Sequence, residues 1–563
     1  MNLYEISWEV CNKVGGIYRV LESKSHLMKG YKKYIQIGPY LSNSKQYFEE
    51  KKLSPKLDKI NKELNKKGIN IKYGEWLIKG RPNVILVDFK NYFYKKDDLK
   101  KELWESHKVE SLFSSYDFDE PVVFSGACAE LISLMDPGVT HLHEWMAGIT
   151  GLFLKNKNKS NKIVFTTHAT ILGRSMTGAG LNLYEEQKVV NPYEKAKELN
   201  ILDKYTAERG ICEACDVLTT VSDLTSEEVA YLNGRKPDLV LKNGLDSENF
   251  PSLENLSVNH KTNKSLLKEF ASYTFFPHYR FDLDLTKFYF TSGRYEYRSK
   301  GFDLLIDSLG KLDQELKNEP DTIIFFFFLA LPDKGPKEEL VDNKSKYNYM
   351  KKKLSQDKEK IRGDIIKSYI DNKNLVLNNK SLKDEAYKFK REHSLPIICT
   401  HNSDIEEELV RELEKRGLRN SKENRVKVII YPAYLDGSDG VLNMTYEEAI
   451  TGCQLGVFPS YYEPWGYTPL ECAAYGVPAI TTDYAGFGLF LEKLDEHKGI
   501  YVLDMEHEGV NELKNYMYTY TKKSHHERFE DKLKAKNLSK SADWKKFIRS
   551  YFEAHKKAYK TNI

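Results

Sequence analysis

The sequence predicts an α/β protein with two parallel-sheet domains facing a cleft and a helical insertion in the second domain. Three observations predict it. At 563 residues the chain exceeds what one ordinary core organises. Short apolar runs ending in Gly, Pro, Ser or Thr alternate with helical patterns, the rhythm of βαβ units. That rhythm occurs in two blocks, one up to about Asn243 and one from about Phe288.

In the first block, "YEISWEVCNKVGGIYRVLESK" reads as a strand from about Leu3, a Lys13-Val14-Gly15-Gly16 loop and a helix. Paired glycines let backbone N–H groups approach a phosphate, and the lysine adds charge; a plain glycine turn explains the same residues, since no established phosphate loop is spelled out. "THLHEWMAG" places Glu144 beyond another strand. "FTTHATILGR" sets His168 at a strand end, with Arg174 six residues on. The histidine can bond a sugar hydroxyl and the arginine can fork onto phosphate oxygens.

The stretch "DSENFPSLENLSVNHKTNKS" is polar and reads as the connection, giving expected domains of 1–245 and 246–529. The second block opens with "KFYFTSGRYEYRSKGFDLL", whose loop carries Arg294 and Lys300. Two cations there would offset the charge of a leaving diphosphate. "IIFFFFLAL" is too short to span a membrane and reads as a central strand buried on both faces. The stretch from about 333 to 395 is rich in Lys, Glu and Asn, an inserted helical segment whose sharper interpretation is a subunit contact. "GVFPSYYEPWGYTPLECAAYGVPAITT" then reads strand, loop, helix, strand, with Glu463 and Glu471 separated by seven residues. T-P-L-E is a capping-box pattern in which Glu471 would bond back to Thr468 N–H. A cap leaves Glu463 and its aromatic neighbours unexplained. The tail from about Lys514 is helical and basic.

With 86 basic and 82 acidic residues the charge is nearly balanced, which argues against a general nucleic-acid binder. Seven scattered cysteines and an N-terminus without a signal-peptide pattern point to a reduced, cytoplasmic protein, with no membrane partner. Cys212 and Cys215 lack a second pair for a zinc site and read as packed thiols.

Taken together, "EVCNKVGGIYRVL", "HEWMAG", "FTTHATILGR", "RKPDLVLKNGL", "GRYEYRSKGFD", "FPSYYEPWGYTPLEC" and "GVPAITTDYAGFG" make the sequence resemble, over nearly its whole length, glycogen synthases of the animal and fungal type. These are retaining glycosyltransferases of the GT-B type, with two Rossmann-like domains. The resemblance implies transfer of glucose from a nucleotide-diphosphate glucose, UDP-glucose favoured, to the non-reducing end of an α-1,4-glucan. It implies Arg294 and Lys300 on the diphosphate, with His168 and Arg174 lining the donor sugar and phosphate pocket. Glu144 falls near the acceptor side, and Lys13, Gly15 and Gly16 on the wall facing the nucleotide. Tyr434 and Tyr446 would flank the base, the N–H groups of Gly466, Tyr467 and Thr468 would meet phosphate, Glu471 would hold the ribose, and Glu463 would face the transferred sugar.

No cofactor and no metal are expected, the two cations standing in for a metal. The C-terminal helix, about 530–563, is expected to rejoin the first domain, and a homo-oligomer is expected through the insertion. The arginine cluster of relatives controlled by glucose 6-phosphate is reduced here to Arg528, and no Ser-rich tail follows. Neither form of control is therefore carried over. The alternatives are a catalytically silent glycan-binding scaffold and a pyridoxal-phosphate-dependent phosphorylase of related architecture.

Overall fold

The computed structural model describes residues 1–157, 160–332, 334–371, 380–391, 393–494, 499–507 and 509–560. Among them, the first half of the chain supplies β1 (Asn2–Ile6), β2 (Lys33–Pro39), β3 (Phe48–Glu50), β4 (Asn70–Trp76), β5 (Asn83–Asp88), β6 (Val139–His143), β7 (Lys162–Thr167), β8 (Val217–Thr220) and β9 (Leu239–Val240). They form one sheet in the order β3-β4-β5-β2-β1-β6-β7-β8-β9. The β3–β4 and β4–β5 pairs are antiparallel and the remaining pairs parallel.

The second half supplies β10 (Thr286–Gly293), β11 (Thr322–Leu329), β12 (Val426–Tyr431), β13 (Leu455–Val457), β14 (Ala479–Thr482) and β15 (Ile500–Leu503). This sheet is parallel throughout, in the order β12-β11-β10-β13-β14-β15. The run "TIIFFFFL" is β11, and all of it is buried. A strand apolar on both faces can satisfy both only under helices, which is why it lies inside this sheet.

Among its parallel strands, each sheet reverses its order once, between β1 and β6 and between β10 and β13. Helices leave on opposite faces at such a point and open a crevice beyond the strand ends. The segments after β1, β6, β7, β10, β12 and β13 carry the candidate residues, so this topology positions the site.

Two expectations change. The polar stretch expected as a connection is largely the helix Leu253–Phe275, which buries Leu256, Leu267 and Phe270. The polar composition of its first turns hid an apolar stripe that continues beyond them. The expected C-terminal return is later than 530. The helix His525–Ser539 stays on the second half, where Lys536 donates to the Ala474 carbonyl at 2.6 Å and Tyr501 to Asp531 at 2.8 Å. Only from Asp543 does the chain cross back, and the helix Trp544–Lys560 packs Trp544, Tyr551 and Ala558 against Leu3, Val139, Val164 and Val217. Residues 561–563 of that expectation lie outside the described residues. The insertion contains the helices Glu338–Gln356, Lys358–Ile370 and Lys380–Phe389, and its residues 333, 372–379 and 392 also lie outside them.

All seven cysteines are buried and free; Cys212 lies in the helix Leu202–Ala214 and Cys215 caps its end. No helix of the described residues is long and apolar enough to cross a membrane.

Candidate active site

In the second half, the chain leaves β10 through Arg294 and turns at Lys300. Gly301 makes that turn possible: its φ is +66°, and a Cβ there would lie 1.9 Å from the Pro459 carbonyl oxygen. This close approach brings the Lys300 loop onto the segment after β13. Tyr461 and Tyr462 N–H both donate to the Ser299 carbonyl, at 3.0 and 3.2 Å. Lys300 Nζ then reaches Glu463 Oε2 at 2.5 Å, with both side chains mostly buried. Glu463 is held from behind by Gly486 N–H, which donates to its carbonyl at 2.9 Å. Arg294, by contrast, is half exposed and pairs with Glu296 at 3.1 Å.

The helix after Glu463 runs Tyr467–Ala474 and starts at Gly466, whose φ is +106°. No side chain caps it, so the expected Thr468–Glu471 capping box does not form. The left-handed glycine starts the helix at Tyr467, before the threonine, and the first N–H groups, including those of Gly466, Tyr467 and Thr468, are left free of a side-chain cap. Released from capping, Glu471 faces a cavity of about 220 Å³ between the halves, shared with Arg19, Lys79, Tyr446 and Glu447. Burial raises the Glu471 pKa, and Arg19, whose Nε lies 3.9 Å away, opposes the rise. Tyr446 lines this cavity and its hydroxyl lies 3.1 Å from Ser292 Oγ. Tyr434 is 61 % exposed and is not part of the lining.

Across the crevice, Gly15 and Gly16 begin the helix Gly16–Lys24. The Gly15 N–H, expected to be open to phosphate, is taken: it donates to Glu9 Oε2 at 2.9 Å, as Tyr18 N–H does at 2.7 Å. Gly16 and Lys13 remain exposed. Glu9 escaped the sequence reading because a carboxylate six residues before its partner matches no capping pattern. Burial raises its pKa, while the two backbone bonds and the fields of Arg294 and Arg174 oppose the rise.

Glu144 follows β6 in a left-handed conformation, φ +62°, uncommon for a side chain of this kind. Its Oε1 accepts from His168 N–H at 2.8 Å and Ala169 N–H at 3.1 Å. Burial raises its pKa to about 7, against the pull of nearby Arg174. Two more carboxyls support this loop. Glu228 accepts from Tyr462 of the other half at 2.8 Å, and Glu208 receives Ile171 N–H at 3.2 Å. Burial raises them to about 7 and about 8. Neither carries a local sequence signal; both lie inside helices and become site groups only through tertiary contact.

Arg174 opens onto a groove of about 840 Å³ with Glu296, Tyr297 and Arg298 from the other half. Below the crevice, Glu5, His141 and His143 are the cluster among the described residues with metal-ligand spacing. Lys24 Nζ already lies 2.6 Å from Glu5 Oε1, so this is a hydrogen-bonded charge network and not a metal centre. The crevice therefore presents cations from both halves, a lysine-held carboxylate and an uncapped helix start, a set suited to an anionic sugar derivative.

The chain is similar to known proteins over nearly its whole length. The sequence matches the family described as glycogen synthase over residues 5–562. It is 32 % identical to the glycogen [starch] synthase of Neurospora crassa, covering 100 % of this chain and 84 % of that protein. It is 33 % identical to the human liver glycogen [starch] synthase, covering 98 % and 82 %. Among solved structures, the catalytic domain of starch synthase IV from Arabidopsis thaliana, bound to ADP and acarbose, superposes with a TM-score of 0.56 at 14 % identity, covering 99 % of each chain. A trehalose-6-phosphate synthase superposes with a TM-score of 0.54 at 11 % identity, again covering 99 % of each.

Proposed function

This chain belongs to the glycogen synthase family and has the GT-B fold, and from that premise we propose that it transfers glucose, with retention, from a nucleotide-diphosphate glucose to the non-reducing end of an α-1,4-glucan. The observation that carries the proposal is the Lys300–Glu463 pair at 2.5 Å, at the strand-order reversal of the second sheet and within the field of Arg174 from the first. In the resting site Lys300 is paired with Glu463. On donor binding, Lys300 turns to the diphosphate, Arg294 leaves Glu296 for the same anion, and the N–H groups at Gly466, Tyr467 and Thr468 meet phosphate oxygens. Glu463 is then free to face the transferred sugar and stabilise oxocarbenium charge.

We favour attack from the face the phosphate leaves. The bond from C1 to the phosphate oxygen breaks, the bond from C1 to the acceptor oxygen forms on the same side, and the acceptor proton passes to the departing phosphate. His168 and Arg174 bind the donor, Glu144 the acceptor side, Glu471 the ribose. Tyr446 sits beside Glu471 in the 220 Å³ cavity and meets the base; Tyr434 closes over it from outside. UDP-glucose is the favoured donor, from the family. A cytoplasmic setting is supported by seven unpaired thiols. Assembly into a homo-oligomer is supported by the helix Lys358–Ile370, which buries none of its residues.

The test is turnover with UDP-glucose and with ADP-glucose in the presence of glycogen, with and without glucose 6-phosphate. Nucleotide release and chain elongation are expected, and Glu463→Ala should reduce them at least about a hundredfold while thermal unfolding stays near wild type. Absence of nucleotide release with either donor would favour the silent scaffold instead.

A further inference from the structure

Beneath the first half's crevice floor lies a chain of buried polar groups that the transfer step does not use. Glu5 stands within β1 with no exposed surface. Its Oε1 meets Lys24 Nζ at 2.6 Å and His143 Nε2 at 2.9 Å, and its Oε2 meets the Tyr34 hydroxyl at 2.5 Å. An ionised carboxylate has no hydrogen to give, so each of these partners is the donor. His143 therefore carries its proton on Nε2.

Its other ring nitrogen, Nδ1, lies 2.9 Å from His168 Nε2. Two nitrogens at that distance share one hydrogen, so at least one ring is neutral. Lys24 already balances the Glu5 charge, which leaves no reason for a second cation on His143. A neutral ring protonated at Nε2 offers only a lone pair at Nδ1, and the shared hydrogen belongs to His168. The same rule leaves His168 Nδ1 unprotonated. That nitrogen bonds to no described residue, and His168 keeps 8 % of its surface open. The electrostatics agree: burial raises Glu5, but Lys24 and the imidazoles overcome it and hold the carboxyl well below its usual range. Burial also keeps both histidines below theirs.

We propose that Glu5 and His143 are positioning residues that hold His168 in its Nε2–H tautomer, so that Nδ1 faces the crevice as an acceptor and takes a hydroxyl hydrogen of the sugar being transferred. The tautomer follows from these contacts together with the burial that keeps both rings neutral; its use on a sugar rests on the glucosyl-transfer reading above. A histidine locked as an acceptor discriminates for a hydroxyl at the position it faces, because a site built around one hydrogen bond is left with an unpaired group when that hydroxyl is missing.

The tautomer is measurable without substrate. In the full chain labelled with 15N-histidine, with His168 assigned through His168→Gln, long-range 1H–15N spectra are expected to show protonated Nε2 and lone-pair Nδ1 from about pH 6 to 8. A proton on Nδ1, or an imidazolium, overturns the proposal whatever the activity. His143→Phe keeps a ring of similar shape and removes both bonds. It should release His168 to a mixture of tautomers and lower kcat about tenfold, one hydrogen bond's worth, with the donor KM changed less than about twofold.

Glu5→Gln combined with Lys24→Met removes the buried charges together and should release the tautomer in the same way, so the proposal stays testable if His143→Phe fails to fold. If the variants lower only the thermal midpoint, with the His168 spectrum and kcat of the folded fraction unchanged, the positioning role is wrong. Wild-type protein with His168 in the expected tautomer but no glucosyl transfer would support the positioning assignment and remove only the sugar reading.

Discussion

Lys532 and Glu208 show how single buried charges shape the pH response. Lys532 is 8 % exposed, and burial lowers its pKa from 10.5 to about 7, aided by Lys264 and Arg528. Between those values the unfolded chain holds a proton the folded chain has released, so this group makes stability rise with pH. Its full penalty is felt below about pH 7. Lys532→Met is expected to raise the unfolding free energy read by urea titration, most at pH 6, by a few kcal/mol at roughly 1.4 kcal/mol per pKa unit; no gain at pH 6 would refute the assignment. Glu208 has the opposite sign. Burial raises it from 4.5 to about 8, and between those values the folded chain holds the extra proton, so stability falls as pH rises through that window. Glu208→Gln should therefore be progressively more stable than wild type from pH 5 to 8, read by the thermal midpoint at each pH. Residue-level legibility divides along the same line. Glu463 and Lys300 could be found because each follows a strand in a loop of unusual composition. Glu9, Glu208 and Glu228 could not, because their partners come from turns and strands that no local spacing anticipates.

Short elements depend on a few backbone conformations. Gly301 is the clearest: with φ at +66° and the Pro459 carbonyl 1.9 Å from any Cβ, Gly301→Ala must push the Lys300 loop away from Glu463. The strained conformation alone costs about 1–2 kcal/mol. A lowered thermal midpoint with at least about tenfold lower turnover is expected, and wild-type turnover would show that the loop has freedom it is denied here. The helix Trp544–Lys560 is the second case. Trp544 is fully buried and its Nε1 donates to Ser23 Oγ at 2.6 Å, pinning the helix Gly16–Lys24 that borders the crevice. Trp544→Ala should cost about 3–5 kcal/mol, measured by denaturant titration. The capping box at Thr468 was misleading for a related reason: a tetrapeptide pattern cannot reveal that the glycine before it already sits in the left-handed region and starts the helix.

At the scale of the molecule, the two halves meet through contacts that include Tyr462 on Glu228 at 2.8 Å, Lys493 on Asp223 at 2.6 Å and Tyr184 against Tyr484 with ring centres 4.5 Å apart. The inserted helices project from the second half, with Ile366, Tyr369 and Ile370 exposed. A surface of that kind is what a second copy would cover. Sedimentation velocity should show an oligomer that Ile366→Glu with Ile370→Glu dissociates; a monomer in the unsubstituted chain would end that proposal. The alternation of strands and helices, the two blocks, the buried strand at 322–329 and the spacing of Glu463 from Glu471 were all legible in the sequence, because they rest on local periodicity and on residues close along the chain. Only the tertiary structure decided that Lys300 rests on Glu463, that Glu9 takes the Gly15 N–H, that the last helix returns beneath the first sheet, and that the His143 and His168 rings meet at 2.9 Å. Those are contacts between segments up to hundreds of residues apart, selected by the burial of whole faces and by the need to pair every charge enclosed there, and neither requirement leaves a mark on a short window of sequence.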